Sequence, residues 1–164
     1  MDYAEKLIGK LTQSFSSAVE KDNSVSYPCV KVQSGSLIKV LKFCQSELAL
    51  VFLEDITAID LVQNFSLIYR VVNLQAEALV LKVEVQKNKT LIASAVSVWP
   101  SARLFQLEVR EMFGIAFEPD ESSESLLLPE GWLGHPLRKD YTYPREFEGL
   151  EHQRPALRKE YQRP

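Results

Sequence analysis

Cysteine and histidine are scarce, with two of each among 164 residues. Cys29 and Cys44 share no paired spacing, and each sits in an apolar run as a small hydrophobe would. Two thiols cannot build a four-thiolate iron–sulfur cluster. With His135 and His152 isolated as well, neither a structural zinc nor a haem has a ligand set. The six glycines nowhere form a phosphate-cradling loop after a strand. Apolar runs are broken by charge well short of membrane-spanning length. Charge is nearly balanced, 19 basic against 22 acidic residues, so no strongly basic face for nucleic acid is expected. Met1-Asp2-Tyr3-Ala4-Glu5 resembles neither a secretory signal nor a transit peptide. The expectation is a chain with no cofactor or metal of its own. It should be soluble on the cytoplasmic side, reach a membrane only through partners, and bind no nucleic acid.

What is present is an apolar fraction of 46%, enough for an ordinary core. Tyr3, Leu7, Ile8, Leu11, Phe15 and Val19 share a helical face, with Asp2 as N-cap and Glu5 three residues on. Asp22-Asn23-Ser24 is expected to end that helix. A short strand follows over Tyr27–Val32. Leu37, Val40, Leu41 and Cys44 form a second helical stripe after the Ser34-Gly35-Ser36 turn. Leu48–Leu53 is continuously apolar, as a strand inside a sheet would be. Leu67, Tyr69 and Val71 share one face of the next strand, and Leu79–Gln86 alternates strictly. After Pro100 a helix should bury Ala102, Phe105, Val109, Met112 and Phe113, with Gly114 as its C-terminal cap. The pattern predicts an α+β fold over residues 1–115, with helices packed on one mixed or antiparallel sheet.

Residues 116–164 differ in character. Prolines punctuate them, both signs of charge fill the gaps, and no period survives except a possible short helix near Ala156–Gln162. Yet Phe117, Leu126, Leu127, Leu128, Trp132, Leu133, Leu137, Tyr141, Tyr143, Phe147 and Leu150 carry too much apolar surface for a solvated tail. The predicted form is a long extended arm that gains order by burying these side chains. It either wraps a partner or folds back on its own sheet.

Two blocks stand out: Glu108-Val109-Arg110-Glu111-Met112-Phe113-Gly114-Ile115 and Gly134-His135-Pro136-Leu137-Arg138-Lys139-Asp140-Tyr141. In this order they resemble the thirty-kilodalton, or C, subunit of NADH–quinone oxidoreductase (respiratory complex I). That family also has members in energy-converting nickel–iron membrane hydrogenases and formate hydrogenlyase-type complexes. The chain departs from the family pattern at Gln106 and Leu107, which replace an acid and a base, and at Leu104, which replaces an aromatic. It departs again over Asp120–Ser125 and beyond Tyr143. These differences bear on the branch of the family. The resemblance implies a non-catalytic peripheral-arm subunit that braces a hydrogenase-like large subunit beside a small iron–sulfur subunit. The clusters would belong to the partners, and electron transfer would be coupled to ion pumping.

On that reading Glu108, Glu111, His135, Leu137, Arg138, Lys139, Asp140 and Tyr141 are the candidate interface. Glu108 and Glu111, three apart on a helix, would form an acidic ridge for a neighbour's arginines, or else a solvated face. Arg138 would make a two-pronged contact to a partner carboxylate between the anchors Leu137 and Tyr141. His135 reads as a hydrogen-bonding turn residue. The competing class is a stand-alone enzyme or ligand-binding domain using Glu108, Glu111 and His135.

Overall fold

A computed structural model describes residues 3–119 and 125–151. The N-cap expected at Asp2, the isolated His152 and the short helix expected near Ala156 lie outside the described residues. Helix α1, Tyr3–Ser14, buries Leu7, Ile8 and Leu11, the spacing that brings side chains to one helical face. It ends earlier than its apolar stripe suggests. Val19 opens strand β1 (Val19–Lys21), which pairs antiparallel with β2 (Cys29–Val32). A side chain that keeps the helical spacing can thus reach the same core from a strand.

Helix α2, Leu37–Glu47, buries Leu37, Val40, Leu41 and Cys44. Strands β3 (Phe52–Asp60), β4 (Asn64–Val72) and β5 (Ala78–Gln86) form an antiparallel meander. The five-stranded sheet has the order β1-β2-β5-β4-β3, with β2 and β5 parallel, so it is mixed. The Leu48–Val51 stretch is loop, and β3 is an edge strand. Its first residues are apolar for another reason: Leu48, Leu50 and Leu53 plug the core beside α2, while Val51 and Phe52 are exposed.

Odd-numbered residues of β4 and β5, from Phe65 to Val71 and from Leu79 to Val85, pack with the three helices into one core. Tyr69 is fully buried there, and its Oη finds no hydrogen-bond partner among the described residues. The opposite face bears Ser66, Ile68, Arg70, Val80, Lys82 and Glu84 and is half-buried or exposed.

Helix α3, Ala102–Phe113, follows a short 3₁₀ turn at Ala95–Ser97. Gly114 caps it in the left-handed conformation at φ 69°, where a Cβ is unfavourable. Beyond Gly114 the chain stays with the body. Strand β7 (Ala116–Glu118) pairs parallel with β6 (Leu91–Ala93), and Phe117 and Ile92 are buried. Three-residue strands leave no readable period, which is why both are silent in the sequence. The arm over 125–151 is organised around aromatic rings. Trp132 lies 5.0 Å from Phe147 and 6.4 Å from Tyr143, and Tyr141 stacks edge-on to Tyr143 at 4.9 Å. A two-stranded hairpin, β8 (Glu146–Phe147) with β9 (Leu150–Glu151), closes it through Glu148 and Gly149. Both take positive φ, the signature of a primed hairpin turn.

Candidate functional site

The last carbonyls of an α-helix have no intrahelical donor, so they must be met from elsewhere. In α3 the arm meets them in succession. His135 Nδ1 lies 2.9 Å from the Glu111 carbonyl, which can only accept, so that nitrogen carries the proton. The Leu137 amide donates to the Met112 carbonyl at 3.1 Å. Arg138 Nε donates to the Phe113 carbonyl at 2.5 Å, and Nη2 reaches the Gly114 carbonyl at a long 3.4 Å. The guanidinium also lies over the Phe65 ring, 5.3 Å from its centroid.

Two glycines make this close approach possible. A Cβ on Gly114 would come within 2.4 Å of the His135 ring and 2.5 Å of the Arg138 guanidinium. A Cβ on Gly134, at φ 83°, would come within 2.6 Å of the Tyr141 ring. The two outstanding sequence blocks are therefore the two halves of one intramolecular joint.

Two buried carboxylates complete it. Glu111 accepts the amides of Leu126, Leu127 and Leu128 at 2.5, 2.8 and 3.2 Å, a nest of successive backbone donors. Burial pushes its carboxyl up, but the three amides outweigh that and hold it below the ordinary range. Asp60, at the end of β3, takes the Lys139 amide and the Lys87 ammonium on Oδ2, both at 2.9 Å, and the Val62 amide on Oδ1 at 2.7 Å. Burial again raises its carboxyl, and these donors together lower it. Lys87 also lies 3.6 Å from the exposed Asp140.

The joint and the body it closes on fall inside one family's bounds. Residues 30–147 match the family model described as "Respiratory-chain NADH dehydrogenase, 30 Kd subunit". The chain belongs to that family. The C subunit of the NADH-quinone oxidoreductase of Trichlorobacter lovleyi is 32% identical over 142 residues, covering 84% of this chain and 86% of the relative. The C/D subunit of the NADH-quinone oxidoreductase of Acinetobacter baumannii is 31% identical over 128 residues, and the aligned part covers only 22% of that longer protein. Two solved structures share the fold. A trypsin-resistant fragment (1-134) of Nqo5 matches with a TM-score of 0.63 at 19% identity, covering 74% of this chain and 99% of the fragment. The membrane-bound sulfane sulfur reductase, an archaeal respiratory membrane complex, matches at 0.69 and 17% identity, covering 86% of each chain.

Within this thirty-kilodalton family member the predicted interface residues separate into two groups. Glu111 and the backbone around Leu137 and Lys139 are used by the chain itself, as are the His135 ring and the Arg138 guanidinium. Within the chain the Arg138 guanidinium faces the Phe113 and Gly114 carbonyls and the Phe65 ring, contacts that the sequence did not announce. The acidic ridge is also split: Glu108 is exposed while Glu111 is buried under the arm. Glu111 and His135 line one small cavity with Arg110 and Trp132, and Glu108 is not among its lining residues. Leu137, Lys139 and Asp140 keep exposed side chains. Tyr141 is half-buried, and its hydroxyl donates to the Leu133 carbonyl at 3.1 Å.

Sequence reasoning missed Asp60, Lys87 and Phe65 as seats for the arm. Asp60 carried a faint signal: an acid at an inward position of an alternating strand. A broad groove of about 930 Å³ crosses the outer face of the sheet, from β1 and β2 over Lys82 and Glu84 to Ser66, Ile59 and Leu61. Its innermost charges, Asp22 and Lys82, are already paired at 2.8 Å. Among the described residues no cluster of three or more His, Cys, Asp or Glu could hold a metal, and no helix is long and apolar enough to cross a membrane.

Proposed function

We propose that this chain is a non-catalytic peripheral-arm subunit of an NADH–quinone oxidoreductase-type membrane complex. It braces a hydrogenase-like large subunit next to a small iron–sulfur subunit. Electron transfer, and the ion pumping coupled to it, are the work of those partners. The observation that carries this reading is the way the joint divides its groups. The His135 ring and the Arg138 guanidinium turn inward onto the α3 terminus, while Leu133 and Leu137 are left 78% and 53% exposed. A site built for chemistry would do the reverse. Rigid turns that present apolar anchors suit a docking surface. Relatives at 31% and 32% identity are named as C or C/D subunits of NADH-quinone oxidoreductases, which favours the quinone branch over the hydrogenase branch.

The test is assembly. Leu133→Asp with Leu137→Asp should leave the melting temperature of the isolated chain within about 2 °C, as surface changes do. The same variant should lose co-purification with the parent complex. Wild-type assembly by the double variant, or stoichiometric flavin, iron or quinone reduction by the isolated chain, would refute the proposal.

A further inference from the structure

The β3–β4 connection is a two-residue loop, Val62-Gln63, closed by the Leu61 amide donating to the Asn64 carbonyl at 2.9 Å. Val62 sits in it at φ 76°, a backbone conformation that a β-branched residue seldom adopts. Glycine or asparagine ordinarily supplies it. The hold on Val62 is local: its amide donates to Asp60 Oδ1, two residues back, at 2.7 Å. The loop therefore depends on the orientation of one carboxylate.

That orientation is fixed through the other oxygen. Oδ2 takes the Lys87 ammonium and the Lys139 amide, each at 2.9 Å, and the side chain is 2% exposed. One donor belongs to the loop, one lies just past β5, and one comes from the arm. The arm adds more to the same seat. Asp140 lies 3.6 Å from Lys87. The Arg138 guanidinium and the Lys87 ammonium both lie over the ring of Phe65, the cross-strand neighbour of Asp60. With the arm seated, two cations and two carboxylates balance at this end of the sheet. Lifting the arm takes a hydrogen-bond donor from Asp60 and a second carboxylate from Lys87.

We propose that Asp60 couples the seating of the arm to the conformation of the β3–β4 loop, so that the arm is a strap whose closure sets the loop. A carboxylate held by donors from three segments keeps its plane, and with it the Val62 amide, while the Lys139 amide is in place. Without that donor the carboxylate turns toward water. The loop then leaves the positive φ that valine disfavours. The effect crosses the sheet. Ile59 and Leu61, on either side of Asp60, line the groove on the outer face, so a change at the arm reaches the rim of that groove. The coupling is reciprocal by thermodynamic necessity: whatever steadies the loop also steadies the arm. This device is independent of what the arm docks against.

Lys139 occupies the second position of the turn that the Tyr141 amide closes on the Arg138 carbonyl at 3.2 Å, where proline is well accepted. Lys139→Pro therefore deletes the amide donor with little disturbance of the turn. Amide exchange at Val62 in the full-length chain should quicken about five- to tenfold, the low end of coupling between sites. Amides of β4 and β5 should keep their protection. Lys139→Ala, which keeps the amide, should match wild type at Val62. In the opposite direction, Val62→Gly lets the loop hold positive φ without a β-branched side chain. Exchange of the Lys139 amide should then slow about two- to fivefold relative to β4 and β5. An unchanged Val62 amide in Lys139→Pro, or equal quickening in Lys139→Ala, overturns the proposal. A Lys139 amide that exchanges no more slowly in Val62→Gly overturns it as well, and decides alone where Lys139→Pro loosens β4 and β5.

Discussion

Gly114 is where the two motif blocks touch. Its φ of 69° and the crowding from His135 and Arg138 act on the same atom, so alanine is excluded on two counts. Gly114→Ala should destabilise the chain by about 1–3 kcal/mol, the usual cost of a strained backbone position. It should also loosen the arm selectively, seen as faster proteolysis between residues 125 and 151 at temperatures where the sheet remains folded. An unchanged melt and digestion pattern would mean that the arm does not sit on the helix end in solution. The buried pair Asp22–Lys82 makes a different residue-scale prediction. The Lys82 ammonium, then Ser24, hold the Asp22 carboxyl far below its ordinary value, and Lys82 is raised in return. A depressed carboxyl stabilises the fold above its unfolded value, near 3.8. That contribution is lost as pH falls below this value. Melting temperatures should therefore drop steeply below about pH 4, and Asp22→Asn should be less stable at pH 7 with a flatter acid limb.

At the scale of elements, Glu111 anchors the arm through three consecutive amides. A glutamine there keeps one acceptor and turns an NH₂ donor toward another N–H. Hydrogen bonds to charged groups are worth roughly 1.5–3 kcal/mol, so Glu111→Gln should open the 125–128 segment by about that much. Amide exchange at Leu126, Leu127 and Leu128 should quicken by about ten- to a hundredfold, while β4 and β5 amides stay protected. Acid should mimic the substitution. The Glu111 carboxyl is depressed by those amides against its burial, so the anchor is intact above its ordinary value near 4.5 and fails below it. Exchange equally fast in wild type and variant at pH 7 would remove Glu111 from this role.

For the whole molecule the question is whether body and arm are one cooperative unit. The body owns a complete core, with its helices and the sheet burying one another. Cutting after Glu118 strips the end of α3 and the Asp60 carboxylate of their arm partners but leaves that core intact. The truncated chain should remain folded with a lower melting temperature and should no longer join the parent complex. Outright unfolding would show that the arm is part of the core.

Periodicity located the three helices and strands β4 and β5, because each repeats its buried positions often enough to be read; β2 was legible only as a short strand-like run. Gly114 as a cap followed from where the stripe of α3 stops. Residue order also exposed the two family blocks, and with them the family. Contact alone decided what the blocks do. Arg138 and Phe113 lie 25 positions apart, Lys139 and Asp60 79 apart, and no local pattern encodes a hydrogen bond across such spans. The positive φ of Val62, 76°, is equally invisible in sequence, since a valine between alternating strands reads as ordinary until its backbone is known. Local patterns determine which segments become helix or strand. Tertiary closure decides which polar groups are used up inside the chain, and so which side chains are left to face a partner.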